Sequence, residues 1–204
     1  KITTFVPILH KDNIVSSLER MVVSAHKIEN MLQQMVEIDF SLFYREIGYV
    51  NREKNIEKEY IMAEILPEII LAPTLGTNGV MWQTISERQK DTPARFVLPI
   101  FLETNLYDVI LKICAKFRWE MCRTVQGGTW NNIKYKSLTS EYLDYIQFYR
   151  KNHDLSEERK EKLRLQLQKH GNRSAEVFAS DYEAWIKGES QGAVRLNKVS
   201  RKIL

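Results

Sequence analysis

Apolar residues recur along the first quarter of the chain at alternating four- and three-residue steps: Ile14, Leu18, Met21, Ala25, Ile28, Leu32, Met35 and Leu42, with Asp39 interrupting the series. Such spacing keeps one stripe of a helix apolar, and Asp12 is suited to cap its start. The pattern predicts one very long helix over residues 12–44, either a spine packed against the rest of the chain or a seam for self-association or a protein partner. Asp39 beside such a seam requires a polar partner, because an unpaired buried carboxylate is costly. The charged run NREKNIEKEY, residues 51–60, reads as a turn leading into a second helix, IEKEYIMAEIL, which Pro67 ends. Residues 1–66 are thus expected to form a long-helix region and 67–204 a mixed α+β region, packed together as one globular unit.

The texture then changes. PEIILAP, GVMWQTI and ARFVLPIF are short runs rich in β-branched and aromatic residues, separated by Thr74–Asn78 and by the polar SERQKDTP. Asn78-Gly79 favours a hairpin between the first two runs, giving a small antiparallel meander of about three strands. The competing arrangement makes MWQTISERQ a helix that crosses between two parallel strands. From Glu103 the helical period returns through Leu106, Ile110, Ile113, Phe117 and Met121, and Gly127-Gly128 stop it. Helices are further expected over residues 139–151, over 157–170 with Ser156 as cap and Gly171 as stop, over 175–187 with Gly188 as stop, and from about Ala193 onward. The expected fold is α+β, mainly α, with about seven helices around the small sheet.

Composition narrows the possibilities. At 204 residues and 44% apolar, with four Trp, nine Tyr and eight Phe, the chain can bury a sizeable core. No run approaches the ~20 apolar residues of a membrane-spanning helix, so a soluble protein is expected. Cys114 and Cys122 lie eight apart on the same predicted helix, ~12 Å between Cα atoms against a disulfide limit of ~7 Å, which leaves both as free thiols and suits a reducing cytoplasm. Residues 150–204 hold 13 Lys/Arg against 8 Asp/Glu, +5, whereas residues 1–149 hold 17 against 18, −1. Opening at Lys1 and stopping inside an amphipathic pattern, the sequence reads as part of a longer protein.

The motifs of familiar chemistry are missing from the sequence. The four histidines have no His or Cys at metal-ligand spacing, and there is no CxxC, HExxH, Walker lysine, GxGxxG or GxSxG. No catalytic residue, metal or cofactor is therefore assigned, although a triad gathered from distant residues leaves no such signature. Three segments remain as binding candidates. TLGTNG offers Thr77 and Asn78 in a Gly-rich loop able to turn backbone N–H groups toward a phosphate, with Arg88 and Arg95 following; the plain alternative is a turn. In FRWEMCRTVQGGTWNN, Trp119 and Trp130 flank a Gly-Gly turn and are able to stack a base or line a partner groove, with Gln126 and Asn131 as hydrogen-bonding groups; the plain alternative is a helix stop with Trp130 as its plug. AVRLNKVSRKIL carries Arg195, Lys198, Arg201 and Lys202 without an acid, opposite Leu196, Val199 and Ile203. A basic amphipathic helix of that kind meets nucleic-acid phosphates or another anionic partner, or is simply docked with its cations in water.

Taken together, FRWEMCRTVQGGTWNN, SLTSEYLDYIQFYRKN and RLNKVSRKIL resemble a region of uncharacterised bacterial proteins often labelled by an adjoining cyclic-nucleotide-binding domain, over roughly residues 70–204. The nucleotide-binding domain itself is not evident in this sequence, and the resemblance transfers no functional residue. It implies a bacterial, cytoplasmic, non-catalytic regulatory or protein-interaction module of a signalling protein. A nucleic-acid-binding domain using the basic C-terminal quarter is the second expectation, and an enzyme on an unfamiliar scaffold the third.

Overall fold

The computed structural model describes residues 2–4, 19–51, 56–82, 94–193 and 196–204. The chain is α+β and mainly helical, and it divides into two compact units, Lys1–Phe117 and Arg118–Leu204.

In the first unit, β1 (Ile2–Thr4), β4 (Glu68–Gly76), β5 (Val80–Trp82) and β6 (Arg95–Leu102) form one sheet in the order β1-β4-β6-β5. β1 pairs parallel with β4 and β4 parallel with β6, from Glu68↔Arg95 to Gly76↔Leu102, with an irregularity between Ala72 and Leu75. β5 runs antiparallel on the far side of β6. The expected meander is therefore incorrect: the first two runs do not pair, and Asn78-Gly79 is not a hairpin turn. The reason lies in Gly79, where an added Cβ would stand 2.5 Å from Ile113 Cδ1 and 2.7 Å from Leu98 Cδ2. This glycine lets backbone lie directly on the core while the chain passes from β4 to β5. Of MWQTISERQ, Met81 and Trp82 are strand and residues 83–89 lie outside the described residues.

The long helix over 12–44 is also corrected. Residues 12–18 lie outside the described residues, and the helix there is α1 (Ala25–Ile38), started by Ser24, whose hydroxyl accepts from the Lys27 N–H at 3.3 Å. Before it, Val22 bridges Phe101, Val23 N–H donates to Ile100 C=O and Leu102 N–H donates to Met21 C=O, both at 2.8 Å. The heptad spacing continues through these residues, but their backbone groups are taken by the edge of β6, and tertiary pairing overrides local period. Ile28, Met35 and Leu42 are buried within this unit, while Met21 and Leu32 are half-buried. Asp39 ends α1, is 2% exposed, and accepts from Ser41 N–H at 3.2 Å and Ser41 Oγ at 2.8 Å, the polar partner the sequence required.

β2 (Tyr44–Asn51) and β3 (Ile56–Glu64) form an antiparallel pair registered Tyr44↔Glu64 and Glu46↔Met62, so the helix expected over 56–66 is a strand. Its helical formers Glu, Lys, Met and Ala are outweighed by a partner, YREIGYVN, rich in β-branched and aromatic residues with Gly48 weakening any helix.

α2 (Leu106–Gln126) is the helix expected from Glu103, and it ends at Gly127, whose φ of +55° is the left-handed conformation that favours glycine. Val109, Ile110, Ile113, Cys114 and Phe117 are buried from its first part. Phe117 meets Phe96 at 5.4 Å and Phe43 at 5.8 Å between ring centroids. Burial pushes the Cys114 thiol far above its ordinary pKa, with the Asp39 charge adding to it.

The second unit holds the C-terminal part of α2, then α3 (Leu138–Phe148), α4 (Glu157–Lys169), α5 (Ser174–Glu189) and α6 (Lys198–Ile203). Short 3-10 turns cover Gly127–Thr129 and Tyr149–Lys151. Ser137 and Ser140 make a reciprocal cap for α3, and Ser156 caps α4 as expected. Gly188 does not stop α5, which runs on to Glu189 and closes at Gly192. The helix expected from Ala193 begins only at Lys198, capped by Asn197. Among the described residues there are thus six α-helices instead of seven. The core of this unit is aromatic: Trp119, Tyr142 and Phe178 meet with ring centroids 5.1 to 6.1 Å apart, and Tyr182 lies 5.9 Å from Phe178.

Candidate functional site: a polar cavity in the C-terminal unit

The sequence-derived candidates fall into three places. Trp119 is 3% exposed and belongs to the aromatic core. Trp130 lies 6.5 Å from it, and its exposed face is covered by Arg123, whose guanidinium stands 4.5 Å from the ring centroid while Nη1 donates to both Glu120 carboxylate oxygens at 2.9 and 3.0 Å. Gln126 is half-buried, with its backbone carbonyl accepting from Thr129 Oγ1; Asn131 is exposed. The stretch covers the end of α2 and the 3-10 turn that follows it, with Trp130 half-buried.

At the other loop, Thr77 and Asn78 are exposed, and Thr104 Oγ1 donates to Thr77 C=O at 2.7 Å. Arg95 pairs with Glu68 at 3.3 Å and lies over Trp82 at 5.3 Å, while Arg88 lies outside the described residues. The loop is held just past the end of β6 by the Thr104–Thr77 bond and by Glu103 N–H donating to Gly76 C=O at 2.9 Å, and Gly79 lies against Ile113 and Leu98. The third group is brought together: Lys198, Arg201 and Lys202, all exposed, line a shallow groove of about 360 Å³ with Leu196, and Arg201 pairs with Glu189. Arg195 lies outside the described residues.

A further concavity among the described residues was not one of those candidates. A cavity of about 230 Å³ is lined by Tyr145 of α3, by Arg159, Lys162, Leu163 and Gln166 of α4, by Ser180, Asp181 and Ala184 of α5, and by Leu196 and Asn197. Asp181 is 6% exposed. Its Oδ2 accepts from Tyr142 Oη at 2.8 Å and its Oδ1 from Gln166 Nε2 at 3.3 Å. Burial raises its pKa, and the two hydrogen bonds and the Lys162 charge pull it back only in part. On the opposite helix the Tyr145 hydroxyl accepts from Asn197 Nδ2 at 3.0 Å. Burial, with the Asp181 charge second, moves this phenol up to about 12, against the lowering effects of Asn197 and Arg159. The Tyr142 hydroxyl is pushed up chiefly by burial, then by the carboxylate it serves.

Chemically, the cavity sets one buried carboxylate and a phenol against two cations. Neither Arg159 nor Lys162 makes an ion pair among the described residues, where no group of three or more His, Cys, Asp or Glu is arranged to hold a metal. The signal for Asp181 is present in the sequence, since Val177, Asp181 and Trp185 follow at four-residue steps and put a carboxylate on the apolar stripe of α5. The convergence of Arg159, Lys162 and Asn197 on it carries no local pattern.

Residues 127–204, which include every described residue lining the cavity, match a family described as a domain of unknown function (DUF8509). No curated protein and no solved structure matches the chain. No helix among the described residues is long and apolar enough to cross a membrane.

Proposed function

We propose that the chain is a non-catalytic regulatory module that admits a small polar ligand to the cavity of its C-terminal unit and transmits occupancy to the last helix. One observation carries this reading. Asn197 donates through Nδ2 to the cavity's Tyr145 while its Oδ1 accepts the Ser200 N–H at 2.9 Å, so one side chain both lines the cavity and caps α6. A ligand that competes for the Asn197 amide or the Tyr145 hydroxyl changes the cap, which is worth ~1 kcal/mol, and with it the seat of a helix bearing Lys198, Arg201 and Lys202. The two unbridged, buried cysteines support a reducing, cytoplasmic setting as part of the same proposal.

The test is amide hydrogen exchange of the full chain against a panel of amino acids, dicarboxylates, sugar phosphates and nucleotides. At least one class should raise the melting temperature and alter exchange over residues 198–204. If none does either, the reading fails. A second reading, nucleic-acid binding, draws on the groove that gathers Lys198, Arg201 and Lys202 without an acid on its own helix. Binding to duplex DNA with a log–log salt slope of ~0.9 per phosphate contact would favour it.

A further inference from the structure

The cavity holds opposite charges on separate helices, and that arrangement specifies what fits between them. Asp181 lies on α5 with two neutral donors, one to each oxygen. A carboxylate offers about four acceptor positions, which leaves each oxygen able to accept once more. A buried carboxylate gains most from a charged donor, and an ammonium with its three N–H groups is the compact form of one. Arg159 and Lys162 lie three residues apart on α4, hence on one face, and both are exposed cations at the cavity's solvent side. They suit a carboxylate. Between these two groups the walls are apolar: Leu163, Ala184 and Leu196. At about 230 Å³, below the range of drug-sized pockets, the space suits a small solute.

We propose that this cavity binds a free aliphatic amino acid, its ammonium on Asp181, its carboxylate on Arg159 and Lys162, and its side chain against Leu163, Ala184 and Leu196. The proposal rests on the reading that the cavity takes a small polar ligand, and it names the class. Valine, with one group of each charge and a short branched side chain, matches all three walls. A dicarboxylate is opposed by Asp181, and a diamine by Arg159 and Lys162.

Calorimetric titration of the full chain with valine, valinamide and N-acetylvaline tests the assignment. Valine should bind. Valinamide, without the carboxylate, and N-acetylvaline, without the ammonium, should each bind weaker by on the order of tenfold or more, the worth of a charge-assisted contact. Arg159→Gln should weaken valine and leave valinamide unchanged, whereas Asp181→Asn should weaken valine and valinamide together and spare N-acetylvaline. If Asp181→Asn does not fold, the two valine derivatives and Arg159→Gln, at an exposed site, still decide. Equal affinity for all three compounds, or no valine binding, overturns the assignment. Should another compound class bind and be blocked by filling the cavity with Ala184→Trp, the ligand class alone is wrong. Should nothing in the metabolite panel bind, the regulatory reading falls with it.

Discussion

At Asp181 the chain places a carboxylate where an apolar side chain would pack, and the energetic consequence depends on pH. Its folded pKa lies above the ordinary 3.8, because burial disfavours the charge. The sign follows: its contribution to stability is fully present below the unfolded pKa and is lost as pH rises through the raised folded value. Urea unfolding of the parent chain and of Asp181→Asn, compared from below pH 3.8 up to neutrality, should show the parent losing ground to the variant as pH rises; a difference that stays flat would show that burial does not shift this group. Tyr145 acts in the same sense at higher pH. With its pKa moved from 10.0 to about 12, it contributes stability that is lost over that interval, about 3 kcal/mol at ~1.4 per unit. Tyr145→Phe should therefore unfold less steeply than the parent on raising pH from 10 to 12. Gly79 makes a steric counterpart. Gly79→Ala would drive its methyl into Ile113 and Leu98, both buried, and should cost ~1–3 kcal/mol, measurable by thermal unfolding; an unchanged melting temperature would mean that the loop yields. The sequence shows this glycine only as a turn former, since nothing local reports that a distant Ile113 lies over it.

Elements were legible where period and end signals agreed. α2 has both, an apolar stripe through Leu106, Ile110, Ile113, Phe117 and Met121 and a Gly-Gly stop, and the helix runs Leu106–Gln126 with Phe117 and Met121 buried. Met121→Ala should accordingly cost ~2–5 kcal/mol by opening a cavity, and Arg118→Ala, at a half-exposed position, distinctly less; equal losses in urea titration would place the core on the wrong face of α2. The N-terminal stripe has period without agreement. Its spacing is continuous across residues 21–24, yet Met21 and Val23 are bonded to β6, and Ser24 supplies a helix start in mid-pattern. Likewise the segment 56–64 has helix-forming composition, and only its register with Tyr44–Asn51 makes it a strand. Parallel pairing of Glu68–Gly76 with Arg95–Leu102, the competing arrangement for these runs, is the one found, and local pattern did not decide for it because it joins segments 27 residues apart through Glu68↔Arg95. The cavity follows this rule: Asp181 stands out on its stripe, while the cations facing it come from α4.

On the scale of the whole molecule, charge is concentrated where the cavity is, with +5 over residues 150–204 against −1 over residues 1–149. Two roles compete for that excess, and Leu196 separates them because it lines both the cavity and the outer groove. It is 8% exposed, and Ser200, one helical turn on, is fully buried, so the last helix is docked and its cations Lys198, Arg201 and Lys202 face outward. Arg201 has an ion pair with Glu189, but exposed pairs are worth ~1 kcal/mol or less. Neutralising Lys198, Arg201 and Lys202 together should thus change stability by ~1 kcal/mol at most. Leu196→Ala should instead lose ~2 kcal/mol or more and weaken any ligand held against that wall. If the basic excess serves an electrostatic partner, the triple change alone removes up to three phosphate contacts and flattens the salt slope of DNA binding by ~0.9 for each. If it serves the cavity, DNA binding is absent before and after, and valine affinity responds to Leu196→Ala and Arg159→Gln but not to the outward cations. Parallel titrations of the four chains with duplex DNA and with valine decide between these roles: salt-steep DNA binding abolished by the triple change, with no valine response in any chain, assigns the charge to a nucleic-acid partner and removes the cavity from the account.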